Sequence, residues 1–578
     1  MTMDTLNSPT LDSPAPDSPA PVSPTLDHTA PTLRALDSPT LCDAVRALGP
    51  GVSVSYPRTG ERLDAAGLDT ASERFAHRLV EAGVRPGDVV GLLSPTGPQV
   101  LVGLLGIVRA GAAASMLPTT AGTPEREAER LAPAVGAAGM RHLVVRRDCA
   151  DTARALHGLH PALTVVDTES SPSRSPAGRL PRVAPEDLAV VQFTSGSTSA
   201  PKGVMLSHAT VLAGLRAIAA SARMGGDDVM VTWVPHFHDM GLFGPLAVLF
   251  AGGSVHVIPP LDFVRRPGRV LRLLAETGAT LLTGPDFSYQ RLAAAATPEL
   301  AAELDLSRWR LAFNGAEPVR SATVSAFRTR MAPAKVAAST MYPVYGMAEA
   351  TLAITFPAPG TTPRVVHVDR QRLSDDGLAI EVPPGHPQAK PLVAVGRPVL
   401  GMELRLVDAA GSVCGPGQLG EIQISGPAVT SGYYGDPVAT AAAFDGPWLR
   451  TGDLGLQLDG DLFVTGRRKE MIVVNGQNHF PEDAESLTRD LPGVHRGRCV
   501  AYADIAGERL TVAVEIAPGG DPDVVARQIH RTLAERLGTA SVHVHPLRPG
   551  WLPLTTSGKW QRGLVRELLA DEAGAPQR

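Results

Sequence analysis

Cysteine is scarce: Cys42, Cys149, Cys414 and Cys499 are the only four in 578 residues, and no two stand at C-x-x-C spacing. That spacing excludes a zinc ribbon and a disulfide framework, and leaves the thiols as buried or incidental groups. Aromatic residues make up 4% of the chain, and there is no basic surplus, since 53 Lys and Arg against 58 Asp and Glu give a formal charge of −5. Nucleic-acid binders carry a clustered basic excess, so no nucleic-acid partner is expected and a small-molecule or protein partner is favoured. Long uninterrupted apolar runs are missing too. The two nearest candidates, residues 100–117 and 240–261, are broken by Arg109 and by Gly and Pro, which argues against a membrane span. The N-terminus has no basic start followed by an apolar stretch, so a cytoplasmic location is expected.

A chain of this length exceeds one hydrophobic core, and its 44% hydrophobic and 19% charged residues are ordinary for a globular protein. Residues 8–27 read SPTLDSPAPDSPAPVSPTLD, a degenerate repeat too poor in large apolar side chains to order itself. Residues 1–38 are therefore expected to be a disordered Pro/Ser-rich tail, either a docking arm or a tolerated extension, with folded chain beginning near Pro39. Apolar spacing predicts a helix over 70–81 and a buried strand over 88–93, and the same rhythm recurs over 99–114, 210–231 and 270–282. This is the pattern of an α/β fold with largely parallel sheets covered by helices. After Gly466 the texture changes to short strands and amphipathic helices such as 523–537. The expected organisation is a large multi-sheet N-terminal domain over 39–466 and a smaller α+β C-terminal domain over 467–578.

The strongest local signal is LAVVQFTSGSTSAPKGVMLSH at 188–208, an apolar strand running into a loop rich in Gly, Ser and Thr that ends in Lys202. Glycine lets backbone N–H groups approach phosphate oxygens, hydroxyls add donors, and lysine supplies positive charge. A P-loop needs Gly-Lys-Ser/Thr opening a helix, whereas Pro201-Lys202-Gly203 leads into Val204. On composition alone the segment reads as a flexible turn. In its order of residues, TSGSTSAPKG resembles the phosphate-binding signature of the adenylate-forming superfamily of acyl-CoA synthetases, luciferases and nonribosomal peptide adenylation domains. WVPHFHDMGL (233–242), NGAEP (314–318), YGMAEATL (345–352), WLRTGDLG (448–455), GRRKEMIVVNGQNHFPEDAE (466–485) and TTSGKWQR (555–562) follow in the superfamily's order. The resemblance spans Pro39 to the C-terminus. Thr198-Ser199-Ala200 departs from the Thr-Gly that many relatives carry before Pro-Lys.

Joining a carboxylate to the α-phosphorus of ATP brings two anions together, so the catalyst's task is charge neutralisation and positioning. The resemblance implies ATP and Mg²⁺ as cofactors and assigns Lys559 to the carboxylate and α-phosphate. It gives Glu349 to the metal and His238 to the border of the acyl carboxylate, with a structural histidine as the alternative for His238. Thr194, Ser195, Gly196, Ser197, Thr198 and Lys202 would cradle phosphates. Tyr345 and the Gly315-Ala316 backbone would hold adenine, Gly346 and Met347 would belong to the same nucleotide site, and Asp453, with Arg467 nearby, would take the ribose hydroxyls. Lys469 matches the hinge about which the small domain rotates between half-reactions.

Amino-acid-activating relatives use an aspartate where this chain has His238, and Asp239 follows it. HDMGL, FNGAEPVR, MYPVYGMAEATL and an extended stretch from Thr351 to Val395 resemble the fatty acyl-AMP ligase branch, in which an insertion braces the small domain. That implies a fatty acid substrate and, as acceptor, the phosphopantetheine thiol of an acyl carrier protein on another polypeptide, such as a polyketide or nonribosomal peptide synthase carrier. A fatty acyl-CoA synthetase is the alternative. A non-catalytic nucleotide-binding scaffold is the third, and it should have lost Lys559, Glu349 or Asp453.

Overall fold

The computed structural model describes residues 34–120, 122–168, 178–194, 201–474, 477–504, 509–554 and 560–574. The expected tail lies almost wholly outside these residues. Ala35 and Leu36 are nonetheless buried and Arg216 donates to the Leu36 carbonyl, so packed chain is present ahead of Pro39.

Two mostly parallel sheets form the body. The first has seven strands in the order Met341–Pro343, Leu311–Asn314, Leu281–Gly284, Val229–Thr232, Ser254–Val257, Ser53–Tyr56 and Glu61–Asp64, and only the last pair is antiparallel. The second has six in the order Thr164–Asp167, His142–Val145, Val89–Leu93, Ala113–Met116, Leu188–Thr194 and Lys202–Ser207, again with only the last pair antiparallel. The chain thus begins in the first sheet, builds the second, and returns.

Helices Ala65–Glu81, Pro98–Arg109, His208–Ser221 and Asp239–Phe250 pack into one continuous core with both sheets. Asp239–Phe250 is buried from Met240 onward, which accounts for its lack of a polar face. Among the described residues no helix is long and apolar enough to cross a membrane. The helix expected to begin at residue 70 starts at Ala65, because Asp64 accepts from the Gly67 N–H at 2.7 Å and caps it there.

An antiparallel five-stranded sheet follows, with Trp448–Leu458 paired to Gly420–Ser425, Phe444–Asp445 and Asp461–Arg467, and Glu403–Val407 on the outer side of Gly420–Ser425. After it come Val494–Ala503, Leu510–Ile516 and Val542–Leu547, a three-stranded sheet whose faces carry separate hydrophobic clusters under helices Pro522–Leu537 and Arg562–Gly574.

The stretch from Thr351 to Val395 divides in two. Ala353–Phe356 is a strand pairing with Tyr345–Gly346 and Arg397–Pro398, so it belongs to the body. The remainder is a hairpin of Val365–Asp369 and Ala389–Val393 enclosing helix Arg370–Asp375. This hairpin reaches the segment after Arg467: Lys390 Nζ lies 3.0 Å from Asp483 and 4.1 Å from the Phe480 ring, and Ser374 donates to the Asn478 carbonyl. Cys42, Cys149 and Cys499 are buried, Cys414 is half-buried, and none is paired.

Candidate active site

Parallel strands leave their carboxyl ends open for ligands, and the motif residues gather at these ends. Leu188–Thr194 is held against Lys202–Ser207 with Thr194 opposite Lys202, so the two described ends of the phosphate loop lie side by side. Ser195, Gly196, Ser197 and Thr198 fall outside the described residues, as does Lys559.

Asn314 and Pro343 end neighbouring strands of the first sheet. The turn after Asn314 has Ala316 at φ +63°, and a Cβ on Gly315 would meet Val344 Cγ2 at 2.8 Å. Only a residue without a side chain fits that approach. Gly346 is tighter still, with the Leu352 carbonyl oxygen 1.7 Å from where its Cβ would lie. Met347 caps the short turn Ala348–Ala350 that carries Glu349. Thr351 then takes φ +62°, a conformation costly for a β-branched residue, and is held by its hydroxyl bond to the Ala428 carbonyl at 3.0 Å.

Two linked constellations result. In the first, Tyr345 donates its phenol hydroxyl to Asp453 Oδ2 at 2.7 Å while Arg467 Nε stands 3.1 Å from Asp453 Oδ1. Asp453 and Arg467 face each other across adjacent strands, which fixes this pair. The Asp453 charge raises the Arg467 guanidinium further above its usual range. Each Asp453 oxygen retains a lone pair, so the carboxylate can still accept from vicinal hydroxyls.

In the second, Glu349 is 8% exposed and receives the Tyr433 hydroxyl at 3.0 Å, while Lys202 Nζ lies 4.9 Å from the Tyr433 ring centroid. Burial pushes the Glu349 carboxyl above its ordinary value, opposed by hydrogen bonds and reinforced by Asp239. Burial pulls the Lys469 ammonium down, and the positive charges of Arg467 and Lys202 add to that, so three cations converge on one place. Such convergence suits a polyphosphate.

His238 caps helix Asp239–Phe250 next to the Phe237 ring, 4.7 Å between centroids. Gln192, from the strand leading to the phosphate loop, donates to the Phe237 carbonyl at 2.7 Å and ties this corner to the loop. Burial pulls His236 down to about 4, so it is neutral at pH 7. Lys469 sits in the turn Arg468–Glu470.

The donor set around Glu349 fits magnesium. The ion favours one or two carboxylates completed by phosphate oxygens and water, and a carboxylate that is buried, raised and neighboured by Asp239 gains from a cation. Among the described residues no group of three or more His, Cys, Asp or Glu could hold a metal ion.

Sequence reading missed Tyr433 and Thr430, which lie in TSGYYGDP. The paired tyrosines after glycine were the available signal. Their register beside Lys202–Ser207 was not.

The sequence pattern of the AMP-binding enzyme family matches residues 45–434. Medium-chain-fatty-acid--[acyl-carrier-protein] ligase TtuA of Teredinibacter turnerae is 35% identical over 422 residues, covering 68% of this chain and 65% of that protein. The chain thus spans just under two thirds of that relative's length in the match. Long-chain-fatty-acid--AMP ligase FadD26 of Mycobacterium marinum is 32% identical over 522 residues, covering 85% of this chain and 88% of that protein. A solved structure from studies of fatty acyl-adenylate ligases of E. coli and L. pneumophila superposes with a TM-score of 0.87 at 28% identity, covering 94% of this chain and 100% of that one. The match in sequence and the shared fold agree with the order of motifs around the cleft: the chain belongs to the AMP-binding enzyme family.

Proposed function

We propose that the protein joins a fatty acid to ATP as acyl-adenylate and passes the acyl group to the phosphopantetheine thiol of a separate acyl carrier protein. The observation that carries this reading is the meeting of Tyr345, Asp453 and Arg467 beside the buried Glu349 and the cations Lys202 and Lys469. A nucleoside fits the first group and a charged polyphosphate the second. Names of relatives support the acid and the acceptor, as fatty acids and an acyl carrier protein appear in them.

In the first half-reaction a carboxylate oxygen bonds to the α-phosphorus, the bond to the β-phosphate oxygen breaks, and pyrophosphate leaves. Asp453 accepts from the ribose hydroxyls, Tyr345 lies against adenine, and Lys202 meets the departing phosphates. His238 borders the acyl carboxylate. Lys559 draws the carboxylate and α-phosphate together, offsetting their repulsion. Magnesium, held by Glu349 when bound, supplies further neutralisation of phosphate charge. In the second half-reaction the thiol sulfur attacks the acyl carbon, the acyl–phosphate bond breaks, AMP leaves, and the thiol proton passes to solvent.

We assign the large catalytic domain to 39–466 and a mobile small domain to 467–578, turning at Lys469 and acting in the cytoplasm. The hairpin grip of Lys390 on Asp483 supports a restrained small domain and hence a carrier-bound acceptor over free CoA. Purified protein given ATP, Mg²⁺ and a ladder of fatty acids should yield acyl-AMP that persists with CoA and is consumed by holo-carrier protein. Efficient conversion to acyl-CoA would make it a synthetase.

A further inference from the structure

Residues 430–434 form a strap between the phosphate loop and the metal-holding carboxylate. On one side it pairs with the strand leaving the loop: the Met205 N–H donates to the Gly432 carbonyl at 3.0 Å and the Tyr434 N–H to the Gly203 carbonyl at 2.7 Å. The Thr430 hydroxyl adds a bond to the Met205 carbonyl at 2.7 Å on that side, and on the other side the Thr430 N–H donates to the Glu349 carbonyl at 2.7 Å. Gly432 takes φ +139° against Thr440, whose hydroxyl accepts from the Tyr433 N–H at 2.9 Å. The backbone beneath Tyr433 is therefore fixed from three directions.

From this base, one side chain serves both charges. The Tyr433 hydroxyl donates to Glu349 Oε1 at 3.0 Å, and the same ring receives Lys202 Nζ at 4.9 Å from its centroid. A phenol that holds one carboxylate oxygen leaves the other to face a cation. A ring that attracts an ammonium keeps it near the metal-side phosphates instead of letting it turn to water.

We propose that Tyr433 is the positioning residue that sets magnesium-dependent ATP binding, its hydroxyl orienting Glu349 toward the metal and its ring holding Lys202 toward the phosphates. This rests on the reading of the cleft as an ATP–magnesium site. The two contacts are separable, because Tyr433→Phe removes the hydroxyl and keeps the ring, whereas Tyr433→Leu removes both.

The test is calorimetric binding of α,β-methylene-ATP, which cannot be cleaved at the reacting bond, to the full chain across a magnesium titration. Stoichiometry counts only folded, competent protein. Wild type should bind more tightly as magnesium rises, and Glu349→Gln should flatten that response. Tyr433→Phe should lose about tenfold of the magnesium-dependent gain, as expected for a hydrogen bond to a charged group, with metal-free affinity unchanged. Tyr433→Leu should weaken metal-free binding as well. A Tyr433→Phe titration that overlays wild type while Glu349→Gln is flat overturns the role of Tyr433 and leaves the site reading intact. Equal weakening with and without magnesium also overturns it, as a merely structural effect. If wild type itself shows no magnesium response and Glu349→Gln matches it, both fall.

Discussion

On the proposed function nucleotide affinity turns on Asp453, whose two oxygens are met by Tyr345 and Arg467. Asp453→Ala leaves the Arg467 charge without its partner and removes the acceptor for the ribose, so the KM for ATP should rise by about tenfold or more with a smaller fall in kcat, checked by steady-state kinetics. A second residue-scale prediction concerns Glu482. Arg562 is met by Glu470, by Glu485 at 2.9 Å and by Glu482 at 3.3 Å, so three carboxylates share one cation. Burial, opposed by Arg562 and reinforced by Glu485, pushes the Glu482 carboxyl from 4.5 up to about 7. Below pH 4.5 the group is neutral in folded and unfolded chains alike. Between 4.5 and 7 the unfolded chain ionises first, so the stability due to this group falls as pH rises and is lost above 7. Glu482→Gln should therefore raise the melting temperature relative to wild type more at pH 8 than at pH 5.

At the scale of elements, the hairpin of Val365–Asp369 and Ala389–Val393 is joined to helix Pro481–Thr488 by an ion pair whose side chains are 7% and 8% exposed. Asp483 also faces the buried Arg370 Nε at 3.6 Å, so Lys390→Met leaves it one of two cations and should cost about 2 kcal/mol in denaturant unfolding, whereas Asp483→Leu, which takes the carboxylate from both, should cost about 4 kcal/mol. The start of helix Asp239–Phe250 makes a second demand: a Cβ on Gly241 would lie 2.1 Å from the Pro235 carbonyl oxygen, so Gly241→Ala should displace His238 and lower both stability and fatty-acid turnover. Much at this scale was legible. The helix-then-strand rhythm of residues 70–93 and 99–114 is carried by local periodicity, and the structure has both. Other features were not, for they depend on distant partners. Nothing local announces that Ser53–Tyr56 pairs with Ser254–Val257 across the second sheet's whole sequence, or that Ala353–Phe356 belongs to the body while 365–393 reaches outward.

For the whole molecule, the candidate site is assembled from strand ends of two mostly parallel sheets and from the paired strands Trp448–Leu458 and Asp461–Arg467 of a third. The ordered motifs named Tyr345, Glu349, Asp453, Arg467 and Lys202 in advance, and the fold brings these side chains together. Tyr433 escaped because its value lies in standing between Lys202 and Glu349, a relation that only the folded strap creates. On the proposed function this site activates a fatty acid as its adenylate. Exchange of labelled pyrophosphate into ATP measures the first half-reaction alone, without any acceptor. Exchange should require both magnesium and a fatty acid, and Lys559→Ala should abolish it in a protein with unchanged melting temperature. Exchange that proceeds without an acid, or that survives Lys559→Ala at the wild-type rate, would contradict that function.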